Sequence, residues 1–161
     1  MTFDDAFTRL IGNEGGYANN SADPGGETMW GVTSAVARAN GYSGPMPAMP
    51  KSFAEAVYQH LYWAPAGCAA LSDPLQFEVF DAAVNSGVKQ AVMWLQRAVG
   101  VPADGVFGPQ TLSAVQSCEP KTTTMRFMGY RLQFFTSLST WPTFGKGWAN
   151  RIAGNLIKAG T

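Results

Sequence analysis

Residues 13–33 read NEGGYANNSADPGGETMWGVT, a stretch that is too polar and too rich in glycine to belong to a hydrophobic core. It holds three of the eleven acidic residues of the chain, Glu14, Asp23 and Glu27. Glycine adopts backbone conformations that other residues avoid, and Asn, Asp and Pro favour turns. We therefore predict an irregular loop or a small β-hairpin near residues 15–32.

The sequence before this stretch predicts a helix. Thr2 and Asp5 match a capping box, and apolar residues recur after them at helical spacing. We expect the helix to continue to the glycines at 15–16, which would place Glu14 at its end and on its apolar stripe. An ionised carboxylate is costly there unless its pKa rises, and a raised pKa suits a general acid. The alternative is that Glu14 bonds loop backbone or faces solvent.

The sequence after this stretch also favours helices. Ser52 and Glu55 match a second capping box, and Pro109 is a suitable first residue for a later helix. Neither long alternating strands nor a tandem repeat occurs. We predict a mainly α fold with at most a small β-hairpin.

The composition is that of a globular protein. Of the 161 residues, 46% are hydrophobic and 14% are charged. The start, MTFDDAF, has no basic and apolar segments of the kind found in signal peptides, so we expect synthesis in a host cytoplasm. In that compartment Cys68 and Cys118 are expected to be free thiols, with a disulfide as the alternative.

The charge is unevenly placed although the net charge is zero. Six of the eleven basic residues fall after Cys118, against one acidic residue, Glu119. This basic third favours contact with an anionic wall polymer or membrane surface, and the alternative is a set of solvated helix faces. The residues concerned are Lys121, Arg126, Arg131, Lys146, Arg151 and Lys158.

Asp23 suggests glycosidic chemistry together with Glu14. Cleavage of a glycosidic bond needs an acid on the leaving oxygen and a second group that holds water or stabilises the sugar cation. Asp23 and Thr28 are candidates for that second role, and Tyr17 and Trp30 offer flat faces for a sugar. The alternative for Asp23 is an ordinary turn, because DPGG is also a turn sequence.

Other chemistries have weaker sequence support. The single histidine, His60, lies within a helical pattern, so a zinc site lacks its usual ligands. Neither cysteine has an activating neighbourhood, and no phosphate-binding loop motif occurs. We expect neither metal nor cofactor, and no nucleic-acid partner.

Two segments carry a family resemblance. EGGY followed by DPGGETMWGVT resembles the signature of phage endolysin muramidases of glycoside hydrolase family 108. FDAAVNSGVKQAVMWLQRAVGVPADGVFGPQTL and the later FGKGWANRI resemble the predicted peptidoglycan domain that accompanies this family. The resemblance implies a lysozyme-like helical fold, with a catalytic part at residues 1–70 and a peptidoglycan-binding part at 71–161, packed into one globular unit.

The resemblance also implies roles for site residues. Glu14 corresponds to the general acid, Asp23 would position or activate water, and Thr28 would help to hold it. Tyr17, Trp30 and Asn85 would line the sugar cleft. Asp81 lies one helical turn before Asn85 and is a reserve candidate for the second carboxylate, with a buried hydrogen-bond partner as its alternative role.

The implied function is hydrolysis of the β-1,4 bond between N-acetylmuramic acid and N-acetylglucosamine during lysis of a bacterial host. A holin-like partner would give the enzyme, which we expect to be a monomer, access to the wall. The alternatives are a lytic transglycosylase that uses Glu14, a non-catalytic wall-binding protein, and membrane disruption by a helix at 121–139.

Overall fold

The computed structural model of the chain describes residues 1–12, 16–19 and 26–160. Most of these residues are helical, and a two-stranded antiparallel sheet accompanies the helices. The predicted mainly α fold with a small β-hairpin is therefore confirmed. The chain divides into an N-terminal unit, residues 2–61, and a C-terminal unit, residues 62–161 with Met1. The functional division predicted at residue 70 stays a prediction.

The helices α1 to α8 of the described residues are, in chain order, Phe3–Ile11, Ser34–Ala39, Lys51–Tyr58, Leu75–Ser86, Val88–Val99, Pro109–Ser117, Pro120–Thr136 and Trp141–Ala159. The strands β1 and β2 are Thr28–Met29 and Val32–Thr33. Two short 3₁₀ segments, Met46–Ala48 and Cys68–Ala70, and a π-helical turn, Gln59–Trp63, complete the regular structure of this part of the chain.

The two predicted capping boxes have different outcomes. At α1, the Asp5 amide donates to Thr2 Oγ1 and the Thr2 amide donates to Asp5 Oδ2, both at 3.1 Å, so this box is confirmed. The box at Ser52 and Glu55 is wrong, because α3 already begins at Lys51. The Glu55 carboxylate instead pairs with Lys51 at 3.2 Å, one turn away.

The end of α1 differs from the prediction. The helix ends at Ile11 and not at the glycines at 15–16, because Gly12 caps it with φ +63 and ψ −154, a conformation that favours glycine. Helical spacing along α1 therefore does not assign Glu14 to the apolar face. Glu14 itself lies outside the described residues.

The small sheet is a tight hairpin. β1 and β2 pair with Thr28 opposite Thr33, and the turn residues Trp30 and Gly31 have φ values of +53 and +73. Positive φ at both turn residues matches the twist of a two-residue hairpin. Ala18 adds an isolated bridge, exchanging two backbone hydrogen bonds with Thr28 at 2.8 and 3.0 Å. These contacts fix the residues around Thr28 relative to one another.

The C-terminal unit is built around α4. Every residue from 75 to 83 is buried, which is the pattern of a helix surrounded by its neighbours. α4 packs on α5 and α7, and α7 packs on both α5 and α8. The apolar face of α7 belongs to this core, since Met128 and Phe135 are 1% and 6% exposed. Met125 of the same helix is 56% exposed, so membrane disruption by this helix stays an alternative.

In the described ranges, no helix combines the length and the apolar character needed to cross a membrane.

Candidate functional site

The residues predicted for the site fall in three places. Tyr17, Thr28 and Trp30 lie around the hairpin of the N-terminal unit. Asp81 and Asn85 lie on α4 in the C-terminal unit. Glu14 and Asp23 lie outside the described residues, and their roles stay predictions.

Tyr17 forms a hydrogen bond with Glu27, an acid to which the sequence analysis gave no role. The Tyr17 hydroxyl donates to Glu27 Oε1 at 2.8 Å, and Tyr17 is 41% exposed. This hydrogen bond, reinforced by partial desolvation and the Glu27 charge, raises the pKa of Tyr17 above its usual value. The bond orients a ring whose face remains accessible to a ligand.

Thr28 is held through its backbone. Its N–H and C=O both bond to Ala18, and the residue lies in β1, where it is half-buried. The hydroxyl of Thr28 therefore extends from a backbone that is fixed on both sides. Such a group is suited to holding a water molecule at a defined place.

Trp30 lies at the tip of the hairpin in a conformation that is uncommon for a bulky residue. Its φ is +53, and its indole Nε1 donates to the Met49 carbonyl at 3.0 Å. The neighbouring Gly31 has φ +73, and a Cβ there would lie 2.5 Å from Tyr58 Oη. Local strain at Trp30 is thus held by surrounding contacts, an arrangement that is common at functional sites.

Asp81 is the centre of a buried ion cluster. Its side chain is 2% exposed and pairs with Arg151, whose Nη2 and Nε lie 2.6 and 3.0 Å from Oδ1. The other carboxylate oxygen, Oδ2, lies 2.7 Å from Arg131 Nη1. The Asn85 amide donates to the Asp81 carbonyl at 2.7 Å. The predicted neighbours Asp81 and Asn85 are therefore in contact.

The charge state of Asp81 follows from these contacts. Burial alone would favour the neutral acid, but the hydrogen bond from Arg151 and the charges of Arg131 and Arg151 outweigh it, so the pKa of Asp81 is lowered. An ionised carboxylate with both oxygens occupied is a poor general base. The geometry favours the alternative of a buried hydrogen-bond partner over a catalytic role.

The same cluster corrects one expectation about the basic third of the chain. Arg131 is 0% exposed and paired with Asp81, so it does not meet an anionic polymer at the surface. Arg151 is partly exposed but also paired. The other exposed members of the basic set are Lys121, Arg126, Lys146 and Lys158. Contact of the basic third with a wall or membrane stays a prediction for those four side chains.

The motif DGVFGPQTL forms a braced turn that begins α6. Gln96 Nε2 donates to Asp104 Oδ1 at 2.7 Å and to Thr111 Oγ1 at 3.0 Å, and Gln96 Oε1 accepts from the Gly105 amide at 2.8 Å. Gln96 is 2% exposed. Its side-chain amide thereby provides hydrogen-bond partners for the buried polar groups of the turn, so the motif has a structural function in this unit.

A metal site and a thiolate nucleophile are two alternatives for the chemistry of the described residues. Among residues 1–12, 16–19 and 26–160, no three His, Cys, Asp or Glu side chains converge on a possible metal position. Cys68 and Cys118 are free thiols, and burial raises the pKa of Cys68 to about 12. Cys68 is therefore not a thiolate nucleophile at neutral pH.

Comparisons with known proteins agree with both halves of the sequence pattern. Residues 7–87 match the family described as glycosyl hydrolase 108, and residues 90–153 match the family described as a predicted peptidoglycan domain. The structure of SagA from Brucella abortus is similar with a TM-score of 0.83 and 33% sequence identity, over 98% of this chain and 92% of that chain. No curated protein matches the sequence.

The family match spans about half of the chain, and the structural match spans nearly all of it. Together they assign the lysozyme-like helical fold. The family resemblance stated from the EGGY and DPGG segments is confirmed. The chain belongs to the glycosyl hydrolase 108 family and is a glycoside hydrolase that acts on peptidoglycan.

Proposed function

We propose that the chain is a phage endolysin that hydrolyses the β-1,4 bond between N-acetylmuramic acid and N-acetylglucosamine in the wall of a bacterial host. The observation that carries this proposal is its membership of the glycosyl hydrolase 108 family. The peptidoglycan-domain match over residues 90–153 supports the same substrate.

The proposed reaction needs two chemical roles on opposite sides of the scissile bond. Glu14 gives its proton to the leaving glycosidic oxygen, and Asp23 positions or activates the attacking water. Thr28 helps to hold that water, which is supported by its fixed, half-buried position in β1. Tyr17 and Trp30 stack on sugar rings, since both aromatic groups are held by hydrogen bonds near the hairpin.

The test is mass spectrometry of purified peptidoglycan after digestion. The wild-type protein is expected to release fragments with reducing N-acetylmuramic acid ends. Glu14→Gln is expected to lower the rate by about 10² to 10⁴, because it removes the transferable proton and little of the shape. Glu55→Gln is the matched control, since Glu55 is an acid on α3 that pairs with Lys51.

The products separate this proposal from its rivals. Anhydro-muramic acid ends would identify a lytic transglycosylase, in which no water attacks. Wall binding without any fragments from the wild-type protein would identify a non-catalytic binding protein. Equal activity of Glu14→Gln and Glu55→Gln would remove Glu14 from the role of general acid.

The endolysin assignment adds an expectation about access to the wall. We propose that the enzyme is made in the host cytoplasm, acts as a monomer, and reaches peptidoglycan after a holin-like protein opens the membrane. Expression in a bacterial cytoplasm is then expected to cause lysis only when a membrane-permeabilising agent is added. Lysis of equal speed without that agent would contradict the need for a holin.

A further inference from the structure

One side of α8 carries a row of aromatic residues that ends in an arginine. Trp141, Phe144, Trp148 and Arg151 are spaced by three, four and three residues, so they lie on one helix face, here named the α8 strip. Phe144 is 53% exposed, and the two tryptophans are half-buried. The Trp148 ring lies 5.7 Å from the Phe144 ring and 6.3 Å from the Trp141 ring. The strip is thus a connected aromatic surface.

Gly145 determines how Trp141 lies on this face. A Cβ at position 145 would come within 2.4 Å of Trp141 Cδ2, so the indole lies directly over the helix backbone at this glycine. A larger residue would force the ring away. The absence of a side chain at Gly145 therefore keeps the indole of Trp141 flat against α8.

A pocket adjoins the strip at Trp148. It has a volume of ≈ 240 Å³, and its lining includes Asn85, Arg131, Trp148 and Arg151. Among the described residues, its lining contains two arginines and no acidic side chain. Aromatic rings next to guanidinium groups suit a ligand that combines an apolar ring face with an anion.

Arg151 is oriented so that part of its guanidinium is available to such a ligand. Its Nε and Nη2 bind Asp81, which fixes the plane of the group, while the side chain stays 41% exposed. Arginine carries five N–H donors, and these bonds leave Nη1 for another acceptor. Asp81 therefore acts as a positioning residue for Arg151.

Arg131 forms the inner wall behind Arg151. It is 0% exposed, and its Nε and Nη2 have no hydrogen-bond acceptor in the part of the chain that the structure describes. Both arginines share the carboxylate of Asp81. The nearby Glu78 carboxylate is bridged to Asp81 through Asn155 and does not line the pocket. The pocket side of the cluster is left with basic groups only.

We propose that the α8 strip and this pocket bind the muramyl-peptide portion of peptidoglycan, with a sugar ring on the exposed aromatic side of the strip and a peptide carboxylate on Arg151. The choice of ligand rests on the proposed function, because peptidoglycan is the polymer that the enzyme hydrolyses. The glycan chain alone would provide sugar faces for the aromatic rings but no anion for Arg151. A stem peptide supplies the missing carboxylate, so the site distinguishes peptide-bearing from peptide-free strands.

The test uses a probe that the enzyme cannot hydrolyse. N-acetylmuramyl-L-alanyl-D-isoglutamine has one sugar, no bond between sugars and one free carboxylate. Calorimetric titration of the full chain is expected to give binding of this acid that is about tenfold tighter than binding of its methyl ester, the effect of losing one charge-assisted hydrogen bond. Arg151→Gln is expected to weaken binding of the acid by a similar factor and leave binding of the ester unchanged.

Two further variants make the test specific. Arg97→Gln makes the same substitution at an exposed arginine of α5 that does not line the pocket, and it is expected to bind the acid like the wild type. Gly145→Ala, which displaces the Trp141 ring, is expected to weaken both acid and ester. Binding of the ester as tightly as the acid, or equal losses in Arg97→Gln and Arg151→Gln, would overturn the proposal.

The comparison of acid and ester on the wild-type protein decides the matter even if Arg151→Gln does not fold. It is also independent of hydrolysis. Binding of the acid by a protein that releases no wall fragments would sink the proposed function and keep this site. Fragment release by a protein that binds acid and ester equally would support the proposed function and remove this site.

Discussion

The polar groups around the hairpin and those around Asp81 are arranged in opposite ways. At the hairpin, Tyr17 is 41% exposed and bonds to Glu27, and Thr28 is half-buried. In the C-terminal unit, Asp81 is 2% exposed and has an arginine at each carboxylate oxygen. Accessible groups with a spare bonding direction can meet a substrate, whereas a saturated buried carboxylate stabilises structure. Burial and pairing separate the two roles better than residue type.

The largest expected effect is the loss of the buried charge. Asp81→Asn should lower the free energy of unfolding by about 3–5 kcal/mol, because it leaves two guanidinium groups without their shared carboxylate. Urea denaturation followed by circular dichroism measures this change. Glu55→Gln removes a carboxylate from the exposed Lys51 pair and should cost less than about 0.5 kcal/mol. Equal losses in the two variants would erase the distinction between buried and accessible pairs.

The same carboxylate should make stability depend on pH. The folded-state pKa of Asp81 lies below the ordinary value of 3.8, so its stabilisation is fully present above that value and is lost as pH falls through the folded pKa. The stability difference between wild type and Asp81→Asn should therefore shrink as urea titrations move from neutral pH into acid. A difference that stays constant down to pH values well below 3.8 would argue against an ionised Asp81 in the fold.

The stability of the hairpin should depend on its turn residues more than on its charged residues. Gly31→Ala should lower the free energy of unfolding by about 2 kcal/mol, because φ is +73 and the new methyl would meet Tyr58 Oη at 2.5 Å. Thermal and urea unfolding measure the loss. Gly147→Ala, at a position of α8 with open space around it, should instead stabilise by about 0.5–1 kcal/mol. Stabilisation by both variants would show that the hairpin tolerates side chains at its turn.

Local sequence signals predicted most of the fold. Capping at Thr2, the apolar spacing of the helices and Pro109 at the start of α6 act over a few residues, and a local pattern is enough to detect them. The error at the end of α1 was also local. Gly12 is the first glycine after the apolar pattern, and its φ of +63 ends the helix before the later glycines have any influence.

The site was less predictable because its contacts join distant parts of the chain. Helical spacing identified Asp81, but its two arginines come from α7 and α8, and no pattern around Asp81 indicates them. The bond between Tyr17 and Glu27 depends in the same way on the bridge that brings residue 18 beside β1. Glu14 and Asp23 were predicted from local sequence and from the family resemblance, and their roles stay predictions.

The contrast between the hairpin and the Asp81 cluster also predicts that activity responds to a small change at the hairpin. Thr28→Val should lower the rate of peptidoglycan hydrolysis about tenfold, since it removes one hydrogen bond of roughly 1.4 kcal/mol to water and keeps a β-branched residue in the strand. Thr136→Val, at the exposed C-terminal end of α7, is the control and should leave the rate unchanged. Dye release from labelled peptidoglycan measures both. An unchanged rate in Thr28→Val would remove this hydroxyl from the reaction.

The smallest expected effect concerns the hydrogen-bonded pair of Tyr17 and Glu27. Glu27→Gln removes the charge beside the Tyr17 hydroxyl, so the raised pKa of Tyr17 should fall towards its usual value. Ultraviolet titration of tyrosinate, with Tyr17→Phe used to subtract the other tyrosines, follows this single group. The same substitution should leave the unfolding midpoint nearly unchanged, in contrast to Asp81→Asn. If the pKa of Tyr17 does not change in Glu27→Gln, the hydrogen bond between the two side chains does not form in solution. Tyr17 would then lie at the hairpin without coupling to Glu27.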